Sequence, residues 1–183
     1  MILLLPARAK AIDSSKPSPA INVGDTVQDS QGSLTYKIIS NATFSEGNYD
    51  FYGKVLINGR GSSKSLVTLT CNNSVNLEIN GYSYEYKITG LSPNAFKGDK
   101  KLKTFEFSYD TTVTTIPKGA FKNCKQLEYI NFKGNSVNKI NKTAFKGCTK
   151  LKYLSAKKSK VKQYQKMLKK AGAKKIKIYR KYT

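Results

Sequence analysis

The chain carries three cysteines, Cys71, Cys124 and Cys148, and no histidine. Without an imidazole, neither a Ser–His nor a Cys–His nucleophile can be assembled, and the common zinc hydrolase ligand sets are excluded. No two cysteines form a C-x-x-C pair, so no metal centre is expected. Acidic groups number only 11 in 183 residues. Glu78 and Glu85 could be taken as a carboxylate pair, but glycoside hydrolysis needs two carboxyls facing a sugar-sized cleft, and these two fall on strand-like text. The run NGRGSS, Asn58 to Ser63, lacks the Lys-Ser/Thr of a phosphate-binding loop and reads as a turn. These residue types predict no catalytic residue, no metal and no cofactor. What they do offer is binding chemistry, in tyrosines and lysines that recur at regular intervals: Tyr129 and Tyr153, and the basic ladder Lys97, Lys122 and Lys146.

That regularity comes from a repeat. NAFKGDKKLKTF (Asn94 to Phe105), GAFKNCKQLEYI (Gly119 to Ile130) and TAFKGCTKLKYL (Thr143 to Leu154) are three versions of one text. Their phenylalanines, Phe96, Phe121 and Phe145, are 25 and 24 residues apart. Six positions on come Leu102, Leu127 and Leu151; nine on, Phe105, Ile130 and Leu154; eleven on, Phe107, Phe132 and Ala156. Upstream, Leu91, Ile116 and Ile140 keep the same register, as do Ile88, Val113 and Val137. A period in the twenties belongs to solenoids. The last two apolar sites of each copy are two apart, so they share one side of a strand and their neighbours share the other. One coil cannot bury that side alone, whereas stacked coils make it continuous. The outward set follows: Thr104, Glu106 and Ser108, then Tyr129, Asn131 and Lys133, then Tyr153, Ser155 and Lys157. These nine form the candidate ligand face. Cys124 and Cys148 should lie one above the other, either as packed free thiols or as a bridge if their Cβ geometry permits.

The spacing V-x-x-I-x-x-x-A-F-x-x-C-x-x-L-x-x-[IL]-x-[FA] resembles the BspA-like leucine-rich repeat of bacterial surface proteins, over roughly Ile79 to Arg180. NGYSYEYKITGLSPNAFKG (Asn80 to Gly98) resembles that family's entry into its first coil, and SKVKQYQKMLKKAG followed by KKIKIYR resembles a common C-terminal cap. The resemblance implies a secreted or cell-surface protein that binds host or cell-surface proteins or glycans in the manner of an adhesin. It also implies a small buried residue, often cysteine, at the positions of Cys124 and Cys148.

Around the repeat, the text predicts caps. From Gly24 the chain runs as short β-like segments, SLTYKII, FYGKVLING, SLVTLTC and VNLEI, with an Asn-Gly turn at Asn80 to Gly81 leading into SYEYKI. These read as an antiparallel meander covering the first coil and blunting its open edge. After the last coil, Val161, Tyr164, Met167, Leu168 and Ala171 share one helical face, and Gly172 suits a helix stop. KKIKIYRKY then alternates as a closing strand, with Ile176 and Ile178 inward. The basic amphipathic helix has a membrane-surface reading too, but its apolar face is needed to close the core. The expected architecture is mainly β: a short leucine-rich-repeat solenoid of about three coils, with an N-terminal β-meander cap and a C-terminal helix-plus-strand cap. The expected divisions are 1–23, a remnant signal peptide and Ser/Pro linker; 24–87, the N-terminal β cap; 88–156, the repeats; and 157–183, the C-terminal cap. MILLLPARAKA reads as the end of an h-region followed by small residues. No run of about 18 apolar residues exists to span a membrane.

Charge is the compositional outlier. Residues 1–96 hold eight basic and seven acidic groups, whereas residues 97–183 hold 25 and four. Such a field attracts polyanions. The function expected is a non-enzymatic binding module. The alternative is a structural module held on anionic cell-wall polymers by charge, and a nucleic-acid binder ranks third for want of any recognised motif.

Overall fold

The computed structural model describes residues 21–41, 53–63, 65–134, 136–174 and 176–182. The signal-like start and the Ser/Pro linker, as far as residue 20, lie outside them.

The N-terminal part is a five-stranded sheet built from β1 (Thr26–Gln28), β2 (Leu34–Ser40), β3 (Gly53–Arg60), β5 (Ser74–Ile79) and β6 (Tyr82–Leu91). Alternation puts Leu34, Tyr36 and Ile38, Val55 and Ile57, and Tyr84, Tyr86 and Ile88 into the core while their neighbours face out. Asn80 and Gly81 both take positive φ, 52° and 81°, as a two-residue hairpin turn between β5 and β6 requires. The sheet is not the antiparallel meander that the text suggested. Its order is β1-β2-β3-β6-β5, and β3 pairs with β6 in parallel. The reason lies in β4 (Thr68–Cys71), which leaves this sheet and pairs in parallel with β7 (Thr104–Phe107). Leu66, Leu69 and Cys71 have the same L-x-x-L-x-C spacing as Leu102, Phe105 and Phe107, so β4 is a rung of the solenoid.

Beyond β7 come β8 (Thr115–Ile116), β9 (Tyr129–Phe132), β10 (Lys139–Ile140), β11 (Tyr153–Lys157), α1 (Val161–Lys170) and β12 (Lys177–Tyr182). The second large sheet is a parallel ladder, β4-β7-β9-β11-β12, with β8 and β10 pairing separately. The three phenylalanine-anchored copies supply its middle rungs, and a strand is added at each end. Phe96, Phe121 and Phe145 form one stack, with centroids 5.3 and 5.0 Å apart and planes within 9°. Backbone bonds hold the turns at the same spacing: Phe96 N–H donates to Ala120 O (2.8 Å), Phe121 N–H to Ala144 O (2.9 Å) and Phe145 N–H to Ala171 O (3.0 Å).

The last of these bonds shows what α1 does. Its C-terminal end occupies the place of a further A-F turn. Tyr164 on its buried face extends the Phe107–Phe132 stack, lying 4.2 Å from Phe132. Gly172 leaves the helix with φ +109°, and any Cβ there would press on the Lys146 backbone. Ile176 is buried as expected, but Ile178 is 39% exposed. It lies in register with Leu154 on β12, which has no further strand beside it among the described residues.

An ion pair ties the end of the first sheet to the first phenylalanine turn. Arg60, at the end of β3, places Nε 2.7 Å from Asp99 Oδ2 and donates from Nη1 to Leu66 O (2.6 Å). Asp99 Oδ1 accepts the Lys101 and Leu102 N–H groups. Asp99 stands three after Phe96, where the later coils have Cys124 and Cys148. Its side chain is 7% exposed, so Arg60→Ala strands a nearly buried carboxylate and should cost about 2–3 kcal/mol. Urea unfolding of Arg60→Ala, Asp99→Asn and the double variant checks this: the double should cost clearly less than the sum of the singles.

Candidate ligand-binding face

Each rung offers its outward side chains to one surface, and parallel register stacks them in rows. The first row is Thr68, Thr104, Tyr129, Tyr153 and Lys177, and the second begins Thr70, Glu106, Asn131, Ser155. Ser108, Lys133 and Lys157 follow one another where the strands end. The predicted face is therefore brought together on one side, and β4 and β12 widen it.

Its centre is aromatic. The Tyr129 and Tyr153 rings stack at 4.7 Å with planes 20° apart. Tyr179 sets its ring edgewise against both, at 5.4 and 5.9 Å. Desolvation among these rings, then Tyr153, Glu128 and Tyr179 in that order, pushes the Tyr129 phenol above its ordinary value. Beside the rings lies a polar cluster. Glu106 Oε1 accepts from Asn131 Nδ2 (2.7 Å), and Glu106 Oε2 lies 2.6 Å from Lys133 Nζ. Glu106 is thus an anchor for its neighbours on the next rung, and the face presents a neutral pair there.

Some predicted residues are less available than the alternation implied. Ser155 points outward but is only 1% exposed, opposite the register shift between β11 and β12 that brings in Tyr179 as an extra residue. Ser108 turns its hydroxyl onto Cys71 O (3.0 Å) and Asp110 Oδ1. Thr104 is half-buried, and Lys157 stands in solvent. Lys97, Lys122 and Lys146 are carried by the turns, not by the strands. Gly98 N–H donates to Lys122 O and Asn123 N–H to Lys146 O, both at 2.8 Å, so successive turns lie side by side. Lys97 and Lys146 are exposed and Lys122 is half-buried.

Tyr179, Lys177, Thr68 and Thr70 were missed. For the threonines, the Leu66–Leu69–Cys71 spacing was the available signal. For Lys177 and Tyr179 it was the alternation of the closing strand.

The cysteines are structural. All three are free and buried. Cys124 and Cys148 repeat one contact, each thiol donating to the anchor carbonyl of the preceding coil, Phe96 O at 2.8 Å and Phe121 O at 2.9 Å. Among the described residues no group of His, Cys, Asp and Glu is placed to hold a metal ion. Two shallow clefts, of about 420 Å³ beside Cys148 and Lys174 and about 450 Å³ beside Arg60 and Asp99, share no residue with the tyrosine face. Among the described residues, no helix is long and apolar enough to cross a membrane.

Residues 70–183 match the family model described as BspA type leucine-rich repeat region, in six copies. No curated protein matches the chain. Among solved structures, a leucine-rich repeat protein from Bacteroides ovatus is similar over 80% of the chain, at 20% identity and a TM-score of 0.48. The chain spans 32% of that protein's length.

Proposed function

The chain belongs to the BspA-type leucine-rich repeat family, and from that premise we propose that it is a secreted or cell-surface, non-enzymatic module that binds a protein or glycan through its strand face. Leucine-rich repeats are interaction modules, so the open questions are which surface and which ligand. The observation that carries this reading is the ring cluster of Tyr129, Tyr153 and Tyr179 at the centre of the outward ladder. Aromatic rings fixed by one another lose little entropy on binding and present both an apolar face and a hydroxyl, which suits protein epitopes and sugar rings alike. Glu106, Asn131 and Lys133 supply the directional polar contacts beside them.

The second reading, retention on anionic wall polymers, is favoured by the 25 basic groups of residues 97–183 and by the exposure of Lys97 and Lys146 on the turns. The two separate by salt and by mutation. Retention of the purified chain on matrix proteins, glycans, wall polymers and DNA is measured at low and at physiological salt. A specific ligand should survive the higher salt, and Tyr129→Ala with Tyr153→Ala should weaken it by about ten- to a hundredfold. Uniform retention on every polyanion, released by salt and unchanged by the tyrosine substitutions, would overturn the face in favour of charge alone. Preference for DNA over the other polyanions would favour a nucleic-acid binder.

A further inference from the structure

We propose that the row of turns carrying Lys97, Lys122 and Lys146 is a docking surface for a linear acidic polysaccharide, laid along the solenoid axis with one sugar carboxylate at each coil. Such a site rests on the charge-retention reading given above, narrows it to one class of polymer, and is separate from the tyrosine face. Each of the three lysines follows an anchor phenylalanine, and the bonds from Gly98 N–H to Lys122 O and from Asn123 N–H to Lys146 O hold their turns side by side. The anchor rings set the step between coils, 5.3 Å and then 5.0 Å. Lys118 and Lys142, three before the anchor, and Lys100 and Lys125, four after it, flank the row and are exposed. Positive charge therefore recurs in register from coil to coil.

The turns lack what an ordinary lysine-rich surface has, which is charge of the other sign between the lysines. Residues 93–101, 117–125 and 141–150 contain nine lysines, and their one acidic residue, Asp99, is committed to Arg60. Among the described residues, none of the nine is in an ion pair with a carboxylate. Lysines stacked one coil apart repel each other at a cost to the compact state, and a bound polyanion relieves that cost. The step then selects the polymer. Side chains on one face of an acidic strand recur at about 6–7 Å, and phosphates at about 3.4 Å along each strand of a DNA helix, so both fall out of step over three coils. A sugar ring linked through its far positions advances its chain by about one coil, and a sugar acid carries one carboxylate per ring. Lysine ammonium groups meet those carboxylates as point charges on flexible stems, which absorbs the small difference between the two steps.

The probe is polygalacturonate, with a carboxylate on every sugar, added to the full chain at physiological salt. It is compared at equal carboxylate concentration with hyaluronan, which has one on every second sugar, and with polyglutamate, which has one on every residue of a peptide. Polygalacturonate should bind at least about tenfold more tightly than either. Lys97→Gln, Lys122→Gln and Lys146→Gln together should weaken that binding by at least about tenfold, and the exposed pair Lys97→Gln with Lys146→Gln, which spares half-buried Lys122, by at least about threefold. Lys158→Gln, Lys162→Gln and Lys166→Gln remove the same charge from exposed positions off the turns, and together should weaken it by less than about threefold. All these variants should keep the unfolding transition, and Tyr129→Ala should leave the binding unchanged. Equal losses in the two triple variants, or either control polymer binding as tightly as polygalacturonate, would overturn the site and leave retention by bulk charge standing. Absence of binding to all three polymers would overturn both.

Discussion

Phe121→Ala is expected to lower the unfolding free energy by about 3–5 kcal/mol, the range for deleting a buried aromatic side chain. The ring is fully buried between Phe96 and Phe145, its stacking partners on either side, and takes the edge of Phe105 at 4.9 Å. The cavity would be walled by those three rings. They cannot close on it, because the spacing of the turns is fixed by the Phe96–Ala120 and Phe121–Ala144 backbone bonds. A solenoid is stabilised largely through contacts between neighbouring coils, and Phe121 belongs to the coil with an anchored neighbour on both sides. Among the described residues, Phe145 has a phenylalanine stack on one side only, with Phe121. Phe121→Ala should therefore cost more than Phe145→Ala, and Phe121→Leu less than either. Chemical denaturation of the three variants checks the order. Equal losses at Phe121 and Phe145 would mean that the stack contributes no more than its buried area.

What could be read from the text, and what could not, divides along the same physical line. Periodic contacts were legible. The phenylalanine column, the inward Leu102, Leu127 and Leu151, and the outward Tyr129 and Tyr153 all follow from a spacing of 24 or 25 residues and the alternation of a strand. Departures from the period were not. Leu66 stands 36 residues before Leu102, because the β5–β6 hairpin is inserted between β4 and the first phenylalanine turn. The matching L-x-x-L-x-C text was thus out of step, and β4 was placed in the wrong sheet. The same insertion returns β6 beside β3 in parallel, which no local propensity announces. The covering of Ser155 and the exposure of Ile178 arise at β12, from a one-residue register shift and from an edge that has no neighbour among the described residues. Both depend on how strands meet, and meeting is not written in either strand alone. The left-handed turns were foreshadowed more directly. Asn94 and Gly119 occupy the same place in successive copies with φ of 61° and 66°, and the Asn94 amide lies against the Gly119 backbone where a Cβ would sit.

High pH is where the buried acids of this core should show themselves. Burial raises the Cys71 thiol to about 12, against an opposing Thr111 hydrogen bond and with some help from Asp110. The adjacent Cys148 thiol, then burial, raises Cys124 strongly. Burial raises Tyr164 to about 12, and raises Tyr36 with further contributions from Asp29 and Cys71. In the unfolded chain thiols ionise near about 8.5 and phenols near about 10. Above those values the unfolded state gives up protons that the folded state keeps, so it binds fewer, and the unfolding free energy must fall as pH rises. The stability attached to these groups is complete below about pH 8.5 and is lost toward their folded values. Each group contributes a slope of up to about 1.4 kcal/mol per pH unit, so two thiols give about 2.7 between pH 9 and 10, and two phenols joining them bring it to about 5.5 above pH 10. Against a total of about 5–15 kcal/mol for an ordinary domain, cooperative unfolding is expected between about pH 10 and 12. Urea titrations at pH 8, 9, 10 and 11 measure the slope directly. Cys71→Ala should flatten it by one group's share, even though the substitution itself weakens the core at neutral pH. A profile that stays level to pH 11 would mean that the thiols ionise in place, and that water reaches Cys71 and Cys124 inside the stack of coils.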